Sequence, residues 1–175
     1  PNTAFTEALA FIFQKRDLQL LGIEDNNPEK EEMDVLDKFW SLYEIMGVSM
    51  LDIATWEWMY AHPDATASEL RDAVISLSKE IWNTYYAPVF GKKDETILAI
   101  YSHMISYPLY LSAYAFGQII EFQLEDYLNG KTFSQEVDRI FRLGRLTPNE
   151  WMLQATGHDL SVEPMVKAVQ KILKK

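Results

Sequence analysis

Cysteine is absent from all 175 residues, and that absence removes disulfides, thiolate nucleophiles and Cys-based zinc or iron–sulfur sites from consideration. Any metal ion must be held by His, Asp or Glu, and histidine is scarce, with only His62, His103 and His158 in the chain. Positive charge is short as well: 16 Lys and Arg stand against 26 Asp and Glu. The resulting net charge of −10 argues against nucleic acid or an anionic membrane as the primary partner. The most apolar long segment, residues 39–60, carries Glu44, Asp52 and Glu57, which a lipid-facing span would rarely tolerate, so it reads as a buried helix and no membrane span is expected. No run alternates long enough to argue for a sheet, and there is no internal repeat. The opening PNTAFTEALAF has neither a basic region nor a cleavage site, so no signal peptide is visible; a soluble chain of undetermined localisation is expected.

What the chain does contain is apolar content, 48% of its residues, enough for a single domain spanning 1–175 with a sizeable core. Apolar residues recur at helical spacing almost throughout. A first helix is expected from Thr3 to about Leu20, with Gly22 as its stop signal, and a long one from about Glu31 to Tyr60. The long helix has a stripe of Leu36, Phe39, Trp40, Tyr43, Gly47, Met50, Ala54 and Trp58. Thr66 or Ser68 is placed to cap a helix running to about Tyr85, and a short helix is expected over 95–101. A helix from about Tyr107 to Leu128 ends at Asn129 and Gly130, and shorter ones follow near 133–143, 148–155 and 162–173. The expected fold class is an all-α multi-helix bundle.

The stretch HMISYPLYLSAYAFG carries the most chemistry. His103, Tyr107, Tyr110, Tyr114 and Gly117 follow one another by four, three, four and three residues, the spacing of neighbours on one helical face. Pro108 suits a first helical turn and disfavours helix at Tyr107, which makes Ser106 a plausible cap and leaves His103 on the preceding loop. An imidazole and phenol hydroxyls converging on one place can donate hydrogen bonds to a carbonyl or to the oxyanion it becomes. The same pattern also fits a core helix whose tyrosines bury their rings.

Glu7 is the other unusual feature. Its three- and four-residue neighbours are Thr3, Ala4, Ala10 and Phe11, so no cation on its own helix neutralises it. Either it finds a positive partner, of which a metal ion is one, or it sits at an exposed edge of the first turn, favoured by the helix dipole.

Taken together, these segments resemble a known family. NTAFTEALAFIF looks like the segment bearing the third, glutamate ligand in zinc peptidases of the HExxH-plus-Glu type. YPLYLSAYAFG is similar to the YxxxYAxG segment of the oligoendopeptidase F and thimet oligopeptidase family, and the tail LTPNEWMLQATGHDLSVEPMVKAVQKIL resembles that family's closing pattern of a short helix, a Gly-x-Asp turn and a Pro-containing start to the last helix. The resemblance implies zinc in the intact protein, Glu7 as a metal ligand, and peptide as substrate. It also implies that His103, Tyr110 and Tyr114 face the scissile carbonyl and its oxyanion, with Tyr107 and Gly117 as substrate-binding positions.

HExxH itself, which supplies two zinc ligands and the water-activating glutamate, does not occur in the chain. The chain is therefore expected to be the C-terminal fragment of a catalytic domain, partnered by a missing N-terminal part, inactive alone and without stoichiometric zinc. A fragment cut through its core is also expected to expose an apolar face and to self-associate through it. His158 is assigned to a structural turn and His62 to a loop. The alternative is a non-catalytic helical binding or regulatory module. A di-iron enzyme fits less well, because no Glu-x-x-His motif accompanies the i,i+4 pair Glu121 and Glu125, a spacing that usually marks a solvated face.

Overall fold

Pro28 opens the longest helix at a position where its missing N–H costs nothing, and Oδ1 of Asn27 accepts the Glu29 N–H at 3.0 Å to satisfy another first-turn donor. In the computed structural model, which describes residues 3–17, 21–23 and 27–174, the chain is all-α, and no strand occurs among the described residues. Helix α1 spans Thr3–Lys15, α2 Pro28–Ala61 and α3 Ala67–Ile81. A π-helical turn, Trp82–Tyr86, leads into the one-turn helix α4, Ala87–Phe90, and a 3₁₀ turn covers Ile97–Ile100. Then come α5 His103–Ser106, α6 Leu111–Leu128, α7 Phe133–Phe141, α8 Pro148–Thr156 and α9 Glu163–Leu173. None of the described helices is long and apolar enough to cross a membrane.

The local signals act as their chemistry dictates, with exceptions. Thr66 and Thr147 each form a reciprocal capping box, with Glu69 and Glu150. Thr132 sits at an N-cap without a side-chain bond, and at α9 the hydroxyl of Ser161 accepts the Glu163 N–H from outside the cap, which Val162 occupies. Gly130 and Gly157 end α6 and α8 with left-handed φ of 73° and 82°. α1 ends at Lys15, earlier than the pattern suggested, and residues 18–20 lie outside the described residues.

The chain forms two compact units, Pro1–Leu42 with Ala113–Lys175, and Tyr43–Ser112. In the first, α1, α6, α7 and α8 bury a common core. Ala4, Phe5, Ala8 and Ile12 meet Ile120, Leu124, Ile140, Trp151 and Met152, and the rings of Phe5 and Trp151 stack with centroids 4.0 Å apart. In the second, Val48, Leu51, Ile81, Trp82, Tyr86 and Leu98 are buried, and the Trp82 indole N–H donates to the Lys92 carbonyl at 2.8 Å.

The buried side of α2 is not the stripe read from the sequence. Phe39 and Trp40 are exposed, whereas Leu42, Val48, Leu51, Asp52 and Thr55 are buried, and Gly47 alone of the expected stripe is fully buried. The helix carries apolar residues on several faces, so periodicity did not single out one of them.

Candidate active site

The segment from His103 to Gly117 is not one helical face. α5 lasts a single turn, Tyr107 leaves the helix with φ −141°, and α6 begins only at Leu111. His103 therefore lies in a helical turn and not on a loop, and Ser106 ends a helix where it was expected to cap one. Between the helices Pro108 and Leu109 turn the chain, with Leu109 at φ 63°. The rings form a row all the same: centroids lie 5.4 Å apart for Tyr101 and His103, 5.8 Å for His103 and Tyr107, and 6.2 Å for Tyr107 and Tyr110. His103 and Tyr110 are half-buried and Tyr107 is exposed. Exposed apolar side chains gather along the same stretch at Ile97, Ile100, Ile105 and Leu109.

A left-handed leucine costs about 1–2 kcal/mol and persists only where its surroundings impose it. Here the agent is Asp52 of α2. Its carboxylate is 1% exposed, and Oδ2 accepts the Leu109 N–H at 2.8 Å, while Oδ1 has no partner among the described residues. Burial raises the Asp52 carboxyl above the usual carboxylate range, partly offset by that hydrogen bond.

The sign of the linkage follows. A carboxyl with a raised folded-state pKa contributes stability below its unfolded value of about 3.9 that is lost as pH climbs through the raised value. Asp52→Asn keeps an acceptor for Leu109 without the buried charge. The melting temperatures of wild type and Asp52→Asn are expected to be close near pH 4 and to diverge in favour of the variant by pH 7. Asp52→Ala is expected to expose the Leu109 amide to rapid hydrogen exchange, which Asp52→Asn leaves slow; equal exchange in all three proteins would show that the carboxylate does not hold the turn.

Glu7, Tyr114 and Gly117 belong to the other unit. Gly117 is buried on α6, and a Cβ built there would fall 2.7 Å from the Glu7 Cβ and 3.2 Å from both the Ala4 carbonyl oxygen and the Ala8 nitrogen. α1 thus approaches α6 to backbone contact at this glycine. Glu7 is half-buried at the crossing, and Tyr114, also half-buried, stands three residues before Gly117 on α6.

The remaining histidines are accounted for by local structure. His62 stacks on Trp58 at 4.3 Å, its Nδ1–H donating to the Trp58 carbonyl at 2.8 Å. His158 follows Gly157 in a turn where Gln123 fastens the backbone, donating to the Asp159 carbonyl at 2.7 Å and accepting the Ser161 N–H at 2.9 Å. Among the described residues no group of three or more His, Asp or Glu side chains could hold a metal ion. One carboxylate, Glu7, does not make a zinc site, so no chemical step through zinc is derived for this chain alone.

Two ion pairs escaped the sequence reading. Glu121 and Glu125 do not share a solvated face: Glu121 is buried and takes the Lys38 ammonium, and Glu125 takes the Arg16 guanidinium in a two-pronged contact, Nε to Oε1 at 3.1 Å and Nη2 to Oε2 at 2.7 Å. The cations come from α2 and from just beyond α1, and sequence spacing carries no signal for partners 83 and 109 residues away. No family model, curated protein or solved structure matches the chain.

Proposed function

We propose that the chain is the C-terminal part of the catalytic domain of a zinc-dependent peptidase resembling the oligoendopeptidase F and thimet oligopeptidase family. Glu7 would complete a zinc site whose histidines lie outside this chain. His103, Tyr110 and Tyr114 would bind the peptide and donate hydrogen bonds to the oxyanion, with Tyr107 as a further substrate contact, each oxyanion donor contributing about 3–4 kcal/mol in typical acyl-transfer sites.

The observation that supports this reading is the crossing at Gly117. Glu7 and Gly117, the glycine of the YxxxYAxG-like segment, are 110 residues apart in sequence, and the helices that carry them lie against each other at that glycine. The row of His103, Tyr107 and Tyr110 lends further support, since it keeps an imidazole beside phenols on a partly open surface.

The coding sequence preceding Pro1 is the first test, and it is expected to contain HExxH within a couple of dozen residues of Glu7. In the protein that includes it, Glu7→Gln is expected to lower bound zinc well below one equivalent per chain and to slow cleavage of a quenched fluorescent peptide by roughly a hundredfold or more. A preceding sequence without HExxH, or a Glu7→Gln protein that keeps its zinc and turnover, overturns the reading.

A further inference from the structure

Lys38 on α2 and Glu121 on α6 meet inside the first unit, and their pairing leaves a residue of unused chemistry. The Lys38 ammonium reaches Oε1 of Glu121, a side chain only 2% exposed. The second carboxylate oxygen, Oε2, is buried with no hydrogen-bond partner among the described residues. So is Oε1 of Gln118, three residues earlier on the same helix. Both side chains line a cavity of about 360 Å³, together with Lys15, Asp34, Asp37 and Lys38. An adjoining cavity of about 450 Å³ shares Lys15, Asp34, Lys38 and Glu121 and adds the carboxylates of Glu31 and Glu125.

Buried acceptors are almost always satisfied, and two left open on consecutive turns, on side chains that line one cavity, ask for a donor. The surrounding charge says which kind. Carboxylates outnumber ammonium groups around both cavities, so a cationic donor gains where a neutral amide or hydroxyl would not. Burial, reinforced by the charge of Lys15, lowers the pKa of the Lys38 ammonium to about 8, and that ammonium engages only one of the two Glu121 oxygens. A bare metal ion is the poorer fit, since no three-ligand group occurs among the described residues. A guanidinium offers five N–H donors in a planar fork and a primary ammonium offers three, and either can reach two acceptors at once.

We propose that this cavity binds the guanidinium or primary ammonium group of a small molecule or of a basic side chain, with Oε2 of Glu121 and Oε1 of Gln118 as its acceptors. The site is independent of the peptidase reading. It uses the opposite chemistry from the tyrosine row: it accepts hydrogen bonds and holds positive charge.

Isothermal titration calorimetry on the whole chain tests it. Agmatine and butylamine are the free ligands, and an acetylated, amidated peptide carrying one arginine represents the side-chain source. Tetramethylammonium chloride at equal ionic strength supplies charge without N–H donors. Saturable binding of one agmatine or butylamine per chain is expected, with none for tetramethylammonium; binding of the peptide as tightly as agmatine would identify a basic side chain as an acceptable source. Glu121→Gln and Gln118→Leu are each expected to weaken binding roughly tenfold or more. Lys38→Met, which removes the internal competitor, is expected to tighten it. Gln118→Leu leaves the ion pair intact and so reports on the site even if Glu121→Gln does not fold. Equal heats from agmatine and tetramethylammonium, indifference to Gln118→Leu, or water alone at both acceptors in crystals soaked with agmatine overturns the proposal.

Discussion

Replacing Gly47 by alanine is expected to destabilise the protein by about 3 kcal/mol, near the upper end of ordinary overpacking penalties, and to lower its melting temperature by roughly 6–12 °C for a chain of this size. Gly47 lies in the middle of α2, where glycine is ordinarily a liability of about 1 kcal/mol against alanine. Here a Cβ would fall 2.2 Å from the Tyr86 hydroxyl oxygen and 2.5 Å and 2.6 Å from two of its ring carbons. The ring cannot yield. It stacks on Trp82 with centroids 5.3 Å apart, lies 4.8 Å from Tyr43, and is 5% exposed. Its hydroxyl accepts the Gly47 N–H at 2.8 Å and donates to the Tyr43 carbonyl at 2.6 Å, and burial pushes its pKa up to about 12. Urea denaturation gives the free energy directly. Coupling to Tyr86→Leu separates the cause: if the clash is with the ring, the double variant loses less than the sum of the two single changes. A Gly47→Ala protein as stable as wild type would mean that the tyrosine does not occupy this place.

Gly117→Ala is the second large effect, expected to cost about 2–4 kcal/mol by overpacking and the loss of core contacts. The obstacle differs in kind. Two of the three nearest atoms, the Ala4 carbonyl oxygen and the Ala8 nitrogen, are backbone of α1, so relief requires the helix itself to move. Ala4, Phe5, Ala8 and Ile12 are buried on that helix, and displacing it draws all four from the core. Because Phe5 stacks on Trp151, the shift should appear as altered tryptophan emission under native conditions, before any unfolding. Native emission identical to wild type would mean that α1 stays in place. In the protein with its preceding sequence, the same variant is expected to weaken zinc retention, since Glu7 is carried on the helix that moves.

The two glycines show where sequence reading stopped. Gly117 stands out in the sequence because it ends the series of tyrosine spacings, although Glu7, against which it packs, lies 110 residues earlier. Gly47 falls within the apolar stripe expected for α2, but nothing in the sequence points to Tyr86, 39 residues on. Helix ends written in local chemistry were readable too: the capping boxes at Thr66 and Thr147 and the glycine stops at Gly130 and Gly157 involve residues within one turn of each other. The start of α6 was not. Spacing favoured a helix from about Tyr107 and Pro108 suited its first turn, but α6 begins at Leu111, after a turn whose Leu109 N–H is held by a carboxylate 57 residues earlier in the chain.

Sequence by itself determined the all-α class, the near-continuous helices, the exclusion of cysteine chemistry and the grouping of His103 with Tyr107 and Tyr110, because periodicity, turn residues and composition act locally and survive without a partner. Tertiary structure alone decided which face of α2 is buried, how the tyrosine turn is held, and that Glu121 lies inside with Lys38 while one of its oxygens stays open. Those outcomes depend on burial and on hydrogen bonds between groups distant in sequence. Their energy comes from desolvation and from the partner met, and neither exists until the helices pack.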